Sequence, residues 1–188
     1  MIPALWIEPP MPADEAARWT TPEERDAAAA FASERRRAEY LSWRAVVRRE
    51  LGPDVRIAYD ALGAPLLPGL PVHISVAHCA GRIAVCASPN RCAVDIEPET
   101  RNFGRTASRY LTPGERALSD DPLLPGIVWC AKEALYKYAG RRALDFLRDL
   151  RVERLDLAAG TLTGRIGDEE PVGLSVRRED GFIVVYIL

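Results

Sequence analysis

Twice along this 188-residue chain a long helix-forming stretch is followed by a run of short β-type segments. That order excludes most architectures, because strands in runs pair antiparallel whereas strict strand–helix alternation builds a parallel sheet. The first helical stretch opens at Thr21-Pro22-Glu23-Glu24, with Thr as N-cap, Pro at the first helical position and acids in the first turn. It is expected to run to Leu51, with a break near Ser33, and Gly52-Pro53 stops it. Tyr40, Trp43, Val47 and Leu51 form an apolar stripe widened by Ala38, Leu41 and Ala45. Arg35, Arg36, Arg37, Arg44, Arg48 and Arg49 crowd the rest, and read as its wet side. The second helix is predicted from about Ile127 to Tyr138, rich in Ala, Lys, Glu and Leu, with Gly140 as its stop.

The β-type segments are Ala4 to Ile7, Val55 to Tyr59, Val72 to Val76, Ile83 to Ala87 and Ala93 to Glu97, then Leu150 to Leu157, Thr161 to Ile166, Val172 to Arg178 and Phe182 to Leu188. Short Gly- and Pro-bearing links between Val72 and Glu97 predict an antiparallel meander of three strands. Arg101 to Tyr110 is expected to be helical, and Thr112-Pro113-Gly114-Glu115 starts another helix with a capping box. Asp120-Asp121-Pro122 and Pro125-Gly126 read as loop. The expected class is α+β: two similar halves, residues 1–92 and 93–188, each a long helix packed on a small antiparallel sheet.

Hydrophobic residues make up 48% of the chain, enough for a substantial core. A net charge of −2 argues against a nucleic-acid-binding surface. The longest apolar runs, such as Phe182 to Leu188, are far too short to span a bilayer. Met1 to Pro12 is Pro-rich and carries Glu8 without a basic start, unlike a secretory signal, so a cytoplasmic setting is expected. Cys79, Cys86, Cys92 and Cys130 form no CxxC pair, and His73 and His78 are the two histidines. Reduced thiols acting as small hydrophobes fit that pattern better than a structural zinc site.

Two stretches carry chemistry. In Val94-Asp95-Ile96-Glu97 both carboxylates leave one side of a strand while Val94 and Ile96 point the other way. In Trp129-Cys130-Ala131-Lys132-Glu133-Ala134-Leu135-Tyr136-Lys137, residues Trp129, Glu133 and Lys137 share one helix face. Adjacent carboxylates repel unless a cation or a shared proton relieves them, and Mg²⁺ favours carboxylate oxygens and bridges to phosphates. Taken singly, each signal has a bland equivalent. Asp95 and Glu97 also describe a solvated strand face, Glu133 and Lys137 an ordinary i,i+4 pair, and His78 a structural histidine beside a Gly turn. Arg35 to Arg37 read either as a phosphate-binding patch or as a wet helix face.

The order and spacing of the signals are more specific. Ile74-Ser75-Val76-Ala77-His78-Cys79, Val94-Asp95-Ile96-Glu97, Tyr110-Leu111-Thr112-Pro113-Gly114-Glu115 and the Trp129-to-Lys137 stretch together resemble the 4′-phosphopantetheinyl transferase family. The closer likeness is to the monomeric, two-lobed type that activates peptide and polyketide synthetases. Arg36-Arg37 with Tyr40-Leu41 and Arg44 is similar to that family's N-terminal helix.

The resemblance implies transfer of the phosphopantetheine arm of coenzyme A to a serine of an acyl or peptidyl carrier protein. The site would lie between the halves, with coenzyme A nucleotide contacts from the N-terminal half. Asp95, Glu97 and Glu133 are the implied Mg²⁺ ligands, with Glu133 also the base. Lys137 would steady phosphate charge, and His78 would contact the 3′-phosphate. Arg37 and Lys132 would contact the cofactor, Trp129 would help shape the site, and Glu115 would be a nearby acid. Two positions depart from the family pattern: Ala64 stands where Lys is common in Gly63-Ala64-Pro65, and Ala77 where Ser commonly precedes His78. A non-catalytic carrier- or coenzyme A-binding relative and a different Mg²⁺-dependent phosphate enzyme are the competing readings.

Overall fold

A computed structural model describes residues 3–188. Met1 and Ile2, part of the stretch read as unlike a secretory signal, lie outside the described residues. The first half contains strand β1 (Ala4–Glu8), helices α1 (Ala13–Ala17), α2 (Pro22–Ala29) and α3 (Glu34–Leu51), and strands β2 (Ala58–Tyr59), β3 (Pro65–Leu66), β4 (His73–Cys79) and β5 (Arg82–Ser88). The second contains β6 (Ala93–Pro98), the one-turn helix α4 (Pro113–Arg116), α5 (Leu124–Ala139), β7 (Leu150–Asp156), β8 (Thr161–Ile166), β9 (Val172–Glu179) and β10 (Phe182–Ile187). The two five-stranded antiparallel sheets run β1-β5-β4-β3-β2 and β6-β10-β9-β8-β7. In each, the opening strand leads into helix, a four-strand meander follows, and its last strand returns beside the first. The similarity of the halves is therefore a similarity of path.

Local chemistry explains the helix boundaries. Thr21 accepts from the Glu24 N–H and Glu24 accepts from the Thr21 N–H, a complete capping box. The expected break near Ser33 is a fresh start, since the Ser33 hydroxyl caps α3. The segment 101–110 forms two 3₁₀ turns, Phe103–Arg105 and Ala107–Arg109, in place of the expected helix.

Helix α5 begins earlier than expected. Pro125 sits in its first turn and Gly126 faces the sheet, where a Cβ would come within 2.6 Å of Ile183 and 2.7 Å of Phe103. Only a glycine lets the helix approach that closely. Gly140 ends the helix in the left-handed conformation, φ 60°.

Two further expectations change. The strand expected over Val55 to Tyr59 contracts to Ala58–Tyr59. The three-strand meander to Glu97 does not form, because the free edge of β5 is taken by β1 in the register Ala4↔Ala87 to Glu8↔Ile83. Strand β6 crosses to the second sheet and pairs with β10.

On α3 the arginines divide. Arg44 and Arg48 are buried, against the reading of a uniformly wet face. Arg48 makes two bonds to the Glu24 carboxylate, at 2.7 and 2.8 Å, and donates to the Val55 carbonyl at 3.0 Å. Arg44 lies over the Tyr40 ring at 3.4 Å. These bonds tie α2 and the 52–59 link to α3.

Ala77, Ala84 and Cys86 of the first sheet pack against Val94, Ile96, Val184 and Tyr186 of the second. Full burial of an aliphatic side chain of that size is worth roughly 1.5–3 kcal/mol, so this seam holds the halves together. Two polar groups at Val94 on the edge strand β6 are also met there. Its N–H donates to the Ser75 hydroxyl at 3.2 Å, and its carbonyl accepts from Lys137 at 2.8 Å.

Candidate active site

Strand alternation places Asp95 and Glu97 on the face of β6 that meets α5, while Val94 and Ile96 enter the seam between the sheets. Helical spacing brings Trp129, Glu133 and Lys137 against them, one turn apart. The Lys137 ammonium donates to Asp95 Oδ1 at 2.9 Å. The Trp129 indole donates to Glu97 Oε1 at 3.3 Å, and Arg101 forms an ion pair with the same oxygen. Arg101 also lies over the Trp129 ring at 4.9 Å. The three carboxylates separated in sequence thus share one neighbourhood.

Their electrostatics show crowding. Burial, then the Asp95 charge, push the Glu133 carboxyl above the usual carboxylate range, against the pull of Lys137. Burial also raises Glu97, with Arg101 opposing and Asp95 reinforcing the shift. Asp95 Oδ2 is buried without a hydrogen-bond partner, which among the described residues is true of no other buried side-chain oxygen or nitrogen. A buried carboxylate oxygen with no donor is costly, and a cation, a water or a shared proton would relieve it. Oxygen donors of this kind suit Mg²⁺. Among the described residues no group of three or more His, Cys, Asp and Glu side chains is already arranged to enclose a metal ion. Lys137 holds one oxygen of Asp95 and Arg101 one of Glu97.

Lys137 also lines a cleft of about 410 Å³ between the halves. Gly63, Ala64, Pro65, Ser75 and Val76 contribute from the first half, and Tyr136, Lys137, Arg141 and Arg142 from the second. Arg142 donates across it to the Ala61 carbonyl at 3.3 Å. Three cationic side chains on this wall favour an anionic occupant.

His78 stands on β4, with Ile74 and Val76 on the side that meets α3. Its Nδ1 lies 3.3 Å from the buried Glu39 carboxylate, and its Nε2 accepts from Arg36 at 2.5 Å. Burial pushes His78 below the usual histidine range, with Glu39 opposing and Arg36, Lys137 and Arg35 reinforcing the shift.

Three expected residues sit elsewhere. Lys132 is fully buried on the opposite side of α5, its ammonium donating to the carbonyls of Tyr110 at 2.6 Å and Phe146 at 2.7 Å and to Glu115 at 2.9 Å. It has no surface left for a cofactor. Glu115 is bound in the same knot, accepting also from the Thr112 and Val152 N–H groups, both at 2.9 Å. Arg37 donates to the Phe31 carbonyl at 2.6 Å, and its neighbour Arg36 is the arginine that reaches His78.

Sequence reasoning missed Glu39, Arg101, Arg141 and Arg142. The Arg35/Arg36-to-Glu39 spacing carried a signal, but it is also that of a solvated helix pair. The arginines carried none, because each reaches its place through a turn.

A search of the curated proteins finds no match. The sequence model of the 4′-phosphopantetheinyl transferase superfamily matches residues 91–184, which is half of the chain and spans Asp95, Glu97, Glu133 and Lys137. By that match the chain belongs to the 4′-phosphopantetheinyl transferase superfamily, whose members are transferases.

Proposed function

We propose that this protein transfers 4′-phosphopantetheine from coenzyme A to a serine of an acyl or peptidyl carrier protein, releasing 3′,5′-ADP. One observation carries the reading. Lys137 belongs at once to the cleft between the halves and to the acidic neighbourhood of Asp95, Glu97 and Glu133. A phosphoryl-transfer site needs that union of an anion-receiving cleft with a lysine and acids.

In this reading the nucleotide end of coenzyme A occupies the cleft, with His78 at its 3′-phosphate. Lys137 faces the pyrophosphate and offsets charge on the phosphoryl oxygens and the leaving 3′,5′-ADP. Glu133 takes the proton of the attacking serine hydroxyl. The new bond joins the serine oxygen to the phosphorus bearing pantetheine, and the bond broken joins that phosphorus to 3′,5′-ADP. Asp95, Glu97 and Glu133 would hold Mg²⁺, with the unpartnered Asp95 Oδ2 a ready ligand and Arg101 giving up Glu97. The ion supplies charge neutralisation on the pyrophosphate. Trp129 and Arg101 fix the Glu97 carboxylate in the resting site.

The test is a mass spectrum. Apo carrier protein, Mg²⁺ and coenzyme A should yield a carrier one phosphopantetheine heavier. No adduct on fatty-acid, polyketide or peptide-synthetase carriers would overturn the reading. A non-catalytic relative would bind carrier equally well as the parent and as Glu133→Gln, with no turnover in either.

A further inference from the structure

We propose that Cys86 and Cys92 are a reversible oxidation site, where a peroxide converts the two thiols to a disulfide between strand β5 and the link into β6.

The fold brings the pair together. Cys86 lies in β5 opposite Ser75 of β4 and is wholly buried. The Ser75 hydroxyl accepts from the Val94 N–H at 3.2 Å, so the start of β6 runs beside that same strand. Just before it, the Cys92 thiol donates to the His73 carbonyl at 3.4 Å and to the Cys86 carbonyl at 3.8 Å. The two thiols are close enough to hydrogen-bond with each other, and both belong to the apolar seam between the sheets. Among the described residues neither of the other cysteines has a thiol beside it. Cys79 stands opposite Arg82, at the other end of the β4–β5 ladder from Ser75 and Cys86. Cys130 is buried in the core of the second half, its thiol directed to the Ile183 carbonyl at 3.9 Å.

Access and reactivity fall on Cys92. It is 6% exposed but lines the cleft of about 410 Å³, so a small peroxide reaches its sulfur. Pro89, Asn90 and Arg91 before it are exposed and outside any strand. A thiol is a weak donor, so turning from the His73 carbonyl costs little. The bond from Cys86, helped by the Ser88 backbone, holds the Cys92 thiol below the usual range against burial. The same bond, and then burial, push Cys86 far above it. Cys92 is therefore the attacking thiolate and Cys86 the resolving thiol.

The step balances with hydrogen peroxide as oxidant. The Cys92 thiolate attacks one peroxide oxygen, a sulfur–oxygen bond forms and the oxygen–oxygen bond breaks. Hydroxide leaves and becomes water with the proton that Cys92 released. The Cys86 sulfur then displaces the hydroxyl from Cys92, and the Cys86 proton departs with it as a second water. Both electrons come from the sulfurs, and a dithiol returns them. The disulfide fastens the last strand of the first half to the residue that precedes the first strand of the second. It also stops Cys92 short of the irreversible sulfinic acid.

The folded protein is treated with a small excess of hydrogen peroxide, its free thiols are alkylated in denaturant, and trypsin is added. Cleavage after Arg82, Arg91 and Arg101 places Cys86 in peptide 83–91 and Cys92 in peptide 92–101. The expected product is these peptides joined, each lighter by one hydrogen, with Cys79 and Cys130 alkylated. Dithiothreitol before alkylation should abolish it. In Cys86→Ala the same dose should leave Cys92 as a sulfenic acid that dimedone traps. The joined peptides of the parent decide the question independently of how the variant folds. Oxidation of Cys79 with peptides 83–91 and 92–101 left alkylated overturns the proposal. So does sulfinic acid at Cys92 in the parent, or a link that forms as fast in the urea-unfolded chain, which would owe nothing to the fold.

Discussion

Replacing Lys132 by Met should cripple the fold and leave the site chemistry alone. Met fills most of the space of the lysine, so the perturbation is electrostatic rather than a cavity. It strips the ammonium from Glu115, whose side chain is 4% exposed, and the Tyr110 and Phe146 carbonyls lose a donor. Breaking a buried pair from one side costs about 3–5 kcal/mol, because the remaining charge is left uncompensated. Glu115 keeps the Thr112 and Val152 N–H groups and the Thr112 hydroxyl, which places the loss at the lower end of that range. For a chain of this length 1 kcal/mol moves Tm by about 2–4 °C, so a drop of roughly 6–12 °C is expected for a loss of about 3 kcal/mol. The double variant Lys132→Met with Glu115→Gln should recover only part of it, since no charge is stranded but the amide oxygen can replace just one of the two carboxylate oxygens that accept separately from Thr112 and Val152. Thermal unfolding followed by circular dichroism is the assay, paired with the KM for coenzyme A below the transition. An unchanged Tm together with a raised KM would refute the reasoning and make Lys132 a ligand contact.

Glu133→Gln should slow transfer by about 10²–10⁴-fold, as expected for removal of a general base, and yet raise Tm in metal-free buffer. The sign follows from the raised affinity of Glu133 for its proton. The native state holds that proton more tightly than the unfolded one, so this group's contribution declines as pH rises from the ordinary 4.5 through its raised value. The amide removes that cost, and a fall in Tm at pH 7 contradicts the crowding. The gain in Tm of Glu133→Gln over the parent in metal-free buffer should shrink as pH falls toward 4.5, and a gain that does not change with pH contradicts the raised proton affinity of Glu133. Mg²⁺ should raise the parent's Tm in proportion to the logarithm of its concentration above Kd, and Asp95→Asn should abolish the rise; equal shifts in both place the ion elsewhere. Gly126→Ala should cost about 1–3 kcal/mol, because its methyl would meet Ile183 and Phe103 at under 3 Å, and an unchanged urea midpoint would show that α5 can lift from the sheet.

What the sequence determined by itself is local. Alternation put Asp95 and Glu97 on one face, the 3.6-residue repeat put Trp129, Glu133 and Lys137 on another, and capping chemistry fixed Thr21, Thr112 and Gly140 as boundaries. Each of these depends on neighbours within a turn or two, so residue order is sufficient. The repeated helix-then-strands order likewise announced two similar halves.

Tertiary structure decided the rest. Whether β6 extends the first sheet or opens the second depends on β1 claiming the edge of β5 from eighty residues away. Lys132 and Lys137 are the same residue type and five residues apart, but a helix turns them to opposite sides, one into a buried knot and one onto the cleft. Arg36 and Arg37 are adjacent, and only the approach of β4 selects the first to meet His78. Glu39 is chemically indistinguishable from a solvated helix acid until the same strand covers it. A charge acquires its role from what excludes water around it, and the residues that exclude water here come from distant parts of the chain.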